Sequence, residues 1–231
     1  MKNYRHIFFD LDHTLWDFET NCRKTLLQLY DEYALADFGL FTQEDFYKKY
    51  RYINHRYWTL YAMGKVTQEE LRKGRFEQTF VKLGVKRNQI PLDIGEAFTA
   101  LCPQQSAVFP FTHDVLQYLK EKYQLHIITN GFPDVQTIKM ASAGIDVFFN
   151  EIVTSACINI QKPDKRIFLH ALERAKCMAP ESIMVGDNLQ ADVLGAKAAG
   201  LDQIFFNPEK RKHQEKPTFE ISCLSDLKQI L

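Results

Sequence analysis

No apolar run in this 231-residue chain approaches the roughly 18 residues needed to span a bilayer. The segment after Met1, Lys-Asn-Tyr-Arg-His and then a short apolar run, offers no signal-peptide core. A cytoplasmic protein without membrane contact is the expectation. Neither sign of charge is in excess: Lys plus Arg number 29 and Asp plus Glu number 29. Nothing in that balance calls for nucleic acid, and an anionic ligand must be drawn in by a local field. Cysteine is scarce and unpatterned. Cys22, Cys102, Cys157, Cys177 and Cys223 are scattered, odd in number and form no CxxC pair. Zinc and disulfide readings lose support, and the thiols are expected to serve as buried small hydrophobes. With no feature pointing to an oligomer, a monomer is the default.

Hydrophobic residues are plentiful at 45%, enough for a sizeable core. The most informative stretch is Ile7-Phe8-Phe9-Asp10-Leu11-Asp12-His13-Thr14. Its β-branched and aromatic start reads as a buried strand that stops at two carboxylates, with a hydroxyl following. Ligands of parallel α/β sheets bind beyond the carboxyl ends of strands. Two carboxylates placed there repel unless a cation lies between them or one keeps a proton. His13 either touches a ligand or shapes the turn.

From Asp17 to Leu101 the pattern is helical and amphipathic, with Thr67 and Glu70 at capping-box spacing and breaks at Gly84 and Pro91. From Pro110 onward strands and helices alternate. Strands are expected at Leu125–Thr129, Glu151–Thr154, Ser182–Val185 and Gln203–Phe206, with helices opened by Pro133 and Pro163 between them. A polar, proline-containing tail follows. The alternation predicts a Rossmann-like parallel sheet with helices on both faces plus an inserted all-helical cap domain. The core comprises residues 1–16 and 105–231, and the cap 17–104, lying over the catalytic end of the first strand as a lid.

Three further strand ends carry polar groups: Thr129-Asn130-Gly131, Lys162-Pro163, and Gly186-Asp187-Asn188 with Asp192 shortly after. Each alone reads as a turn, a helix start or a surface charge. In a parallel sheet all converge on Asp10 and Asp12, giving a nucleophile, an acid/base, a hydroxyl, a cation and an acidic metal cradle. That inventory suits phosphoryl transfer. The four motifs, in this order and with an all-helical insert after the first, resemble the haloacid dehalogenase superfamily in its phosphatase branch. The resemblance covers essentially the whole chain.

It implies that Asp10 attacks phosphorus to form an aspartyl-phosphate. Asp12 protonates the leaving oxygen and later activates water, an acid role that needs neighbouring negative charge. Thr129 and Lys162 hold the phosphoryl group, with Thr14, Asn130 and Gly131 also binding substrate. Mg²⁺ is the implied cofactor, held by Asp10, Asp187 and the backbone carbonyl of Asp12. Asn188 and Asp192 support these groups from behind, Asp192 through Lys162 or metal-bound water.

A dehalogenase needs neither Mg²⁺ nor the second aspartate, so a phosphomonoester hydrolase is favoured. Ile7-Phe8-Phe9-Asp10, Gly74-Arg75-Phe76-Glu77 and Thr129-Asn130-Gly131-Phe132 are similar to strings in pyrimidine-type 5′-nucleotidases. The implied substrate is a small phosphorylated molecule, a nucleoside monophosphate such as dUMP, dTMP or UMP. The insert is rich in aromatics, and Trp58 could stack on a base while Arg75 holds its edge. Aromatics at helical spacing more often form core than a base platform, and Arg75 reads at least as well as a surface ion pair with Glu77 or another acid. A sugar phosphate or phosphoglycolate phosphatase, a phosphomutase and a non-catalytic binding protein are the alternatives.

Overall fold

The computed structural model describes residues 3–39 and 41–231. It divides into two compact units, one built from the chain up to Phe18 and from Ser106 onward, the other from Glu19 to Gln105.

The first unit is a six-stranded, all-parallel sheet: β1 (His6–Phe9), β2 (Gln124–Thr129), β3 (Glu151–Thr154), β4 (Ser182–Gly186), β5 (Asp202–Phe206) and β6 (Phe219–Ile221). The spatial order is β3-β2-β1-β4-β5-β6. β1, β2 and β4 are runs of Ile, Leu, Val, Phe and Met because their side chains are buried on both faces. On one face Phe8, Ile128 and Met184 meet Ile167, Phe168 and Ala171 of α7 (Lys165–Arg174). Residues of the other parity, Ile7, Phe9, Ile127 and Val185, are fully buried too, so both faces are covered. Each such side chain contributes about 1.5–3 kcal/mol.

The second unit is helical throughout its described residues: α1 (Phe18–Glu32), α2 (Gln43–Ala62), α3 (Gln68–Lys82) and α4 (Ile94–Leu101), with short 3₁₀ turns between. Thr67 and Glu70 form the expected capping box of α3, and Thr42 with Asp45 forms another on α2. Phe46, Tyr50, Phe76, Phe80 and Phe98 fill the interior, with Tyr50 and Phe76 ring centroids 4.8 Å apart. Tyr50 and Phe76 are therefore core, whereas Tyr47, Tyr57, Trp58 and Tyr61 are half-buried and Tyr52 is exposed.

The remaining helices are α5 (Thr112–Lys120), α6 (Pro133–Ser142), α8 (Gly195–Ala198) and α9 (Leu227–Ile230). Three expectations need correction. α7 begins after Pro163, because the Asp164 carboxylate caps it by accepting from the Arg166 amide at 2.9 Å. Where the sequence predicts one helix from after Asp187 to Gly200, residues Leu189–Leu194 form a widened π-type turn before α8, with Val193 N donating to Asn188 O. The polar tail contains β6 and α9. Of the thiols, Cys22 and Cys102 are buried, but Cys157 is exposed and Cys177 and Cys223 are half-buried; none of the five is in a disulfide. Among the described residues no helix is long and apolar enough to cross a membrane.

Candidate active site

The strand order locates the site. The chain leaves β1 to build β2 and β3 on one side, then returns to build β4, β5 and β6 on the other. A crevice opens beyond the strand ends at such a reversal. Asp10 follows β1 directly, and its amide is fixed on β4 by donating to Val185 O at 2.9 Å. Asp187 follows the end of β4. One carboxylate oxygen from each of Asp10, Asp187 and Asp192 lies within 4.8 Å of the others. Gly186 makes this possible: a Cβ there would sit 2.4 Å from the Asp192 carboxyl carbon.

Lys162 lies at the centre, with its ammonium fully engaged. Nζ donates to Asp10 Oδ1 at 2.7 Å, Asp192 Oδ1 at 2.6 Å and Ile128 O at 2.8 Å. Burial opposes its charge, but the two carboxylates outweigh that and hold its pKa above the usual lysine value. Asn130 fixes the backbone beside it, accepting from Lys162 N at 2.8 Å and donating to Lys162 O at 3.1 Å. The other oxygen of Asp192 accepts from Asn188 N at 3.0 Å. Asn188 caps the following turn through the amides of Gln190 and Ala191.

Three buried or half-buried carboxylates thus cluster around one lysine that bonds two of them. Burial, then the charges of Asp10 and Asp192, raises the Asp187 carboxyl to about 8. Burial also moves Asp10 above the ordinary range, against the pull of Lys162. The group wants another cation. Asp192 is committed to Lys162 and Asn188, which leaves Asp10 and Asp187 as donors. Two carboxylates on an all-oxygen face, open to phosphate and water, fit Mg²⁺. Arg211, on the loop after β5, stands 4.0 Å from Asp187 Oδ2. Asn207 holds that loop by bonding both the amide and the carbonyl of Arg211.

Asp12 is held differently from the expectation. Its neighbour is a cation: Lys139 Nζ donates to Asp12 Oδ1 at 2.6 Å, while Gln136 Nε2 donates to Oδ2 at 2.9 Å. Burial pushes this carboxyl up, but Lys139 and Gln136 outweigh it and the net shift is downward. The same Gln136 Nε2 lies 2.7 Å from Thr129 Oγ1, which also accepts from Gly131 N at 3.0 Å. With two donors pointing at it, the Thr129 hydroxyl keeps its own hydrogen for a third group. Gln136 Oε1 is buried without a partner among the described residues, an arrangement that costs about 1–3 kcal/mol.

Asp10, Asp12, Thr129, Lys162, Asp187 and Asp192 are therefore brought together, and Thr14, Asn130 and Asn188 bond to members of this group. Thr14 is fully buried; its hydroxyl accepts from Asp187 N at 3.1 Å and donates to Asp187 Oδ1 at 3.3 Å, so it orients that carboxylate. His13 turns the chain in a left-handed conformation, φ 66°, and lies against Phe18. Gly131 is the backbone beside Gln136, where a Cβ would approach Nε2 to 2.2 Å. Trp58, half-buried, and Arg75 belong to the helical unit. Arg75 is buried, bonds Asn54 Oδ1 at 3.0 Å and lies 5.0 Å from the Phe98 ring centroid. Glu77 pairs with Arg87 instead.

Sequence reasoning missed Gln136, Lys139 and Arg211. On α6 the hydrophobic pattern misleads, since Ile138 is 42% exposed while Gln136 and Lys139 face inward. The available signal was two long polar residues three apart, sharing a helix face with Met140.

Comparison with known proteins agrees with this geometry. The haloacid dehalogenase-like hydrolase family matches residues 4–200. The pyrimidine 5′-nucleotidase PynA of Streptococcus pneumoniae is 31% identical over 97% of this chain and 93% of its own. A glyceraldehyde 3-phosphate phosphatase of Methanothermobacter thermautotrophicus is 34% identical over 97% and 96%. The crystal structure of YfnB of Bacillus subtilis, bound to magnesium, superposes with a TM-score of 0.87 at 28% identity, covering 99% of both chains.

Proposed function

Since the chain belongs to the haloacid dehalogenase-like hydrolases, we propose that it is a Mg²⁺-dependent phosphomonoesterase whose substrates are pyrimidine nucleoside monophosphates. The observation that carries the reaction class is the meeting of Asp10, Lys162 and Asp187 at the ends of β1 and β4. Asp10 and Asp187 would hold the ion, and when bound it offsets the negative charge that carboxylates and phosphoryl oxygens bring together.

In the first half-reaction an Asp10 oxygen bonds phosphorus and the bond to the leaving oxygen breaks. That oxygen takes the departing electron pair and the Asp12 proton. In the second, water bonds phosphorus, Asp12 takes a water proton, and the bond to Asp10 breaks to release phosphate. The cycle returns both aspartates to their starting forms. Lys162 fixes the Asp10 carboxylate throughout, and the free hydrogen of Thr129 is directed to a phosphoryl oxygen. The Lys139 ion pair favours ionised Asp12, the form that accepts the water proton, and opposes the protonated form that the first half-reaction spends.

Similarity to PynA supports the nucleotide substrate. Within the helical unit, half-buried Trp58 is the better base contact, because Arg75 is enclosed by Tyr50, Phe76 and Phe98. Similarity to the archaeal glyceraldehyde 3-phosphate phosphatase supports a second reading, a sugar phosphate. Phosphate release is to be measured across nucleoside monophosphates, glyceraldehyde 3-phosphate and phosphoglycolate, with Mg²⁺, with EDTA and with Asp10→Asn. The nucleotide reading expects Mg²⁺-dependent turnover strongest on UMP, dUMP or dTMP and abolished in the variant. Preference for the triose phosphate would replace the substrate and keep the chemistry.

A further inference from the structure

Asp12 has no freedom to rotate. Both of its carboxylate oxygens are held, one by Lys139 and the other by Gln136, and both holders come from one turn of α6. Their spacing of three puts them on one helix face. The Lys139 side chain is 7% exposed, and its ammonium rests 4.6 Å from the Trp16 ring centroid, so it is fixed from two directions. Gln136 is fully buried and couples Asp12 to Thr129 through a single Nε2. Its orphaned Oε1 shows which way the amide faces: turned over, that oxygen would meet the Asp12 carboxylate.

A leucine at 136 would avoid the buried orphan, and an apolar residue at 139 would avoid a desolvated ammonium. Such breaches of local packing rules concentrate at functional positions. The Asp12 side chain is still 24% exposed, and a carboxylate oxygen has lone pairs to spare beyond one donor. Held on one side, it presents the other in a fixed direction.

We infer that Lys139 and Gln136 are positioning residues that set the rotation of the Asp12 carboxylate, so that its free lone pairs face the leaving-group oxygen and then the attacking water. This rests on the phosphohydrolase reading and adds two residues to it. Misplacing an acid/base by an ångström slows the step it serves by about 100-fold. In the first half-reaction the loss must follow the leaving group, because an alkoxide needs the proton that an aryl oxide such as p-nitrophenolate can leave without.

The test uses the full chain with saturating Mg²⁺ and two substrates. One is p-nitrophenyl phosphate, and the other is UMP or glyceraldehyde 3-phosphate, whichever the wild type turns over. Lys139→Met is expected to lower kcat/KM, which reports the half-reaction that expels the leaving group, about 100-fold on the alkyl phosphate and about 10-fold or less on the aryl one. In an Asp12→Asn background the same substitution should change aryl phosphate turnover by less than about twofold, because the group it positions is gone. Equal losses of kcat/KM on both substrates, or losses that multiply in the double variant, overturn the inference. Should Lys139→Met not fold, Gln136→Leu carries the test: about 10-fold on the alkyl phosphate with the same substrate bias, equal losses again overturning it. A wild type that hydrolyses neither substrate overturns the underlying reading instead, whereas a Lys139→Met enzyme matching an active wild type overturns the positioning role alone.

Discussion

Lys162 in the sheet unit and Arg75 in the helical unit are both buried cations, and they are satisfied in opposite ways. Lys162 spends all three ammonium hydrogens on two carboxylates and a carbonyl. Arg75 bonds one amide oxygen, lies among three aromatic rings and leaves its buried Nε without a partner among the described residues. The first is embedded in an excess of negative charge, and the second has no carboxylate in its ion pairing. A buried cation whose loss strands anions belongs to a charge-balanced reaction centre. One cradled by rings belongs to packing.

The largest way to sharpen this contrast is to remove each charge. Lys162→Met should destabilise the protein by about 3–5 kcal/mol in EDTA, because Asp10 and Asp192 are left facing each other without compensation. Arg75→Met should cost about 1–2 kcal/mol, since no carboxylate is orphaned and only contacts with Asn54 and the rings are lost. Urea unfolding of the two variants measures the difference; equal losses would erase the distinction.

Next in size is the surplus charge itself. Asp187 holds its proton up to about 8 when folded, against an ordinary 3.8. Its pKa is raised, so its share of metal-free stability is full below about pH 4 and is lost as pH climbs to about 8. Asp187→Asn should therefore exceed the wild type by about 1–3 kcal/mol at pH 8 in EDTA, with the gap closing at pH 4. Mg²⁺ should raise the unfolding midpoint of the wild type and not of the variant. A variant no more stable than wild type at pH 8 would mean that the carboxylates do not strain the fold.

The smallest effect lies away from the site. Burial, with the nearby His6 charge, lowers His126 to about 4. Its Nε2 is 3.1 Å from His6 Nδ1, and its ring stacks on Phe8 at 4.7 Å. A depressed histidine stabilises the fold while neutral, so stability is present above about pH 6.5 and is lost as pH falls toward 4. His126→Asn should flatten that part of the pH profile by on the order of 1–2 kcal/mol, after discounting for partial solvent screening. An unchanged slope would show that the pair titrates normally.

The same contrast explains what could be read in advance. Asp10, Thr129 and Asp187 stand where apolar runs end, so their positions follow from strand chemistry and sheet connectivity alone. Gly186 beside Asp187 is legible for the same reason. Lys139 and Gln136 are not, because a helix's buried face is inferred from its apolar residues, and here Ile138 faces solvent while they face inward. Arg75 was legible as a position but not as an interior one, since burial of a guanidinium among Tyr50, Phe76 and Phe98 is a tertiary fact. β6 escaped because Phe219–Ile221 is short and flanked by polar residues, leaving no period to detect.

The central claim is that Asp10 becomes covalently phosphorylated during turnover. Acid quenching of the enzyme during steady-state hydrolysis with Mg²⁺, followed by mass spectrometry of the peptide containing residues 7–14, tests it directly. The account predicts a phosphoryl adduct on Asp10 that is absent in EDTA and in Asp10→Asn. Rapid phosphate release with Asp10 unmodified at every quench time would contradict it.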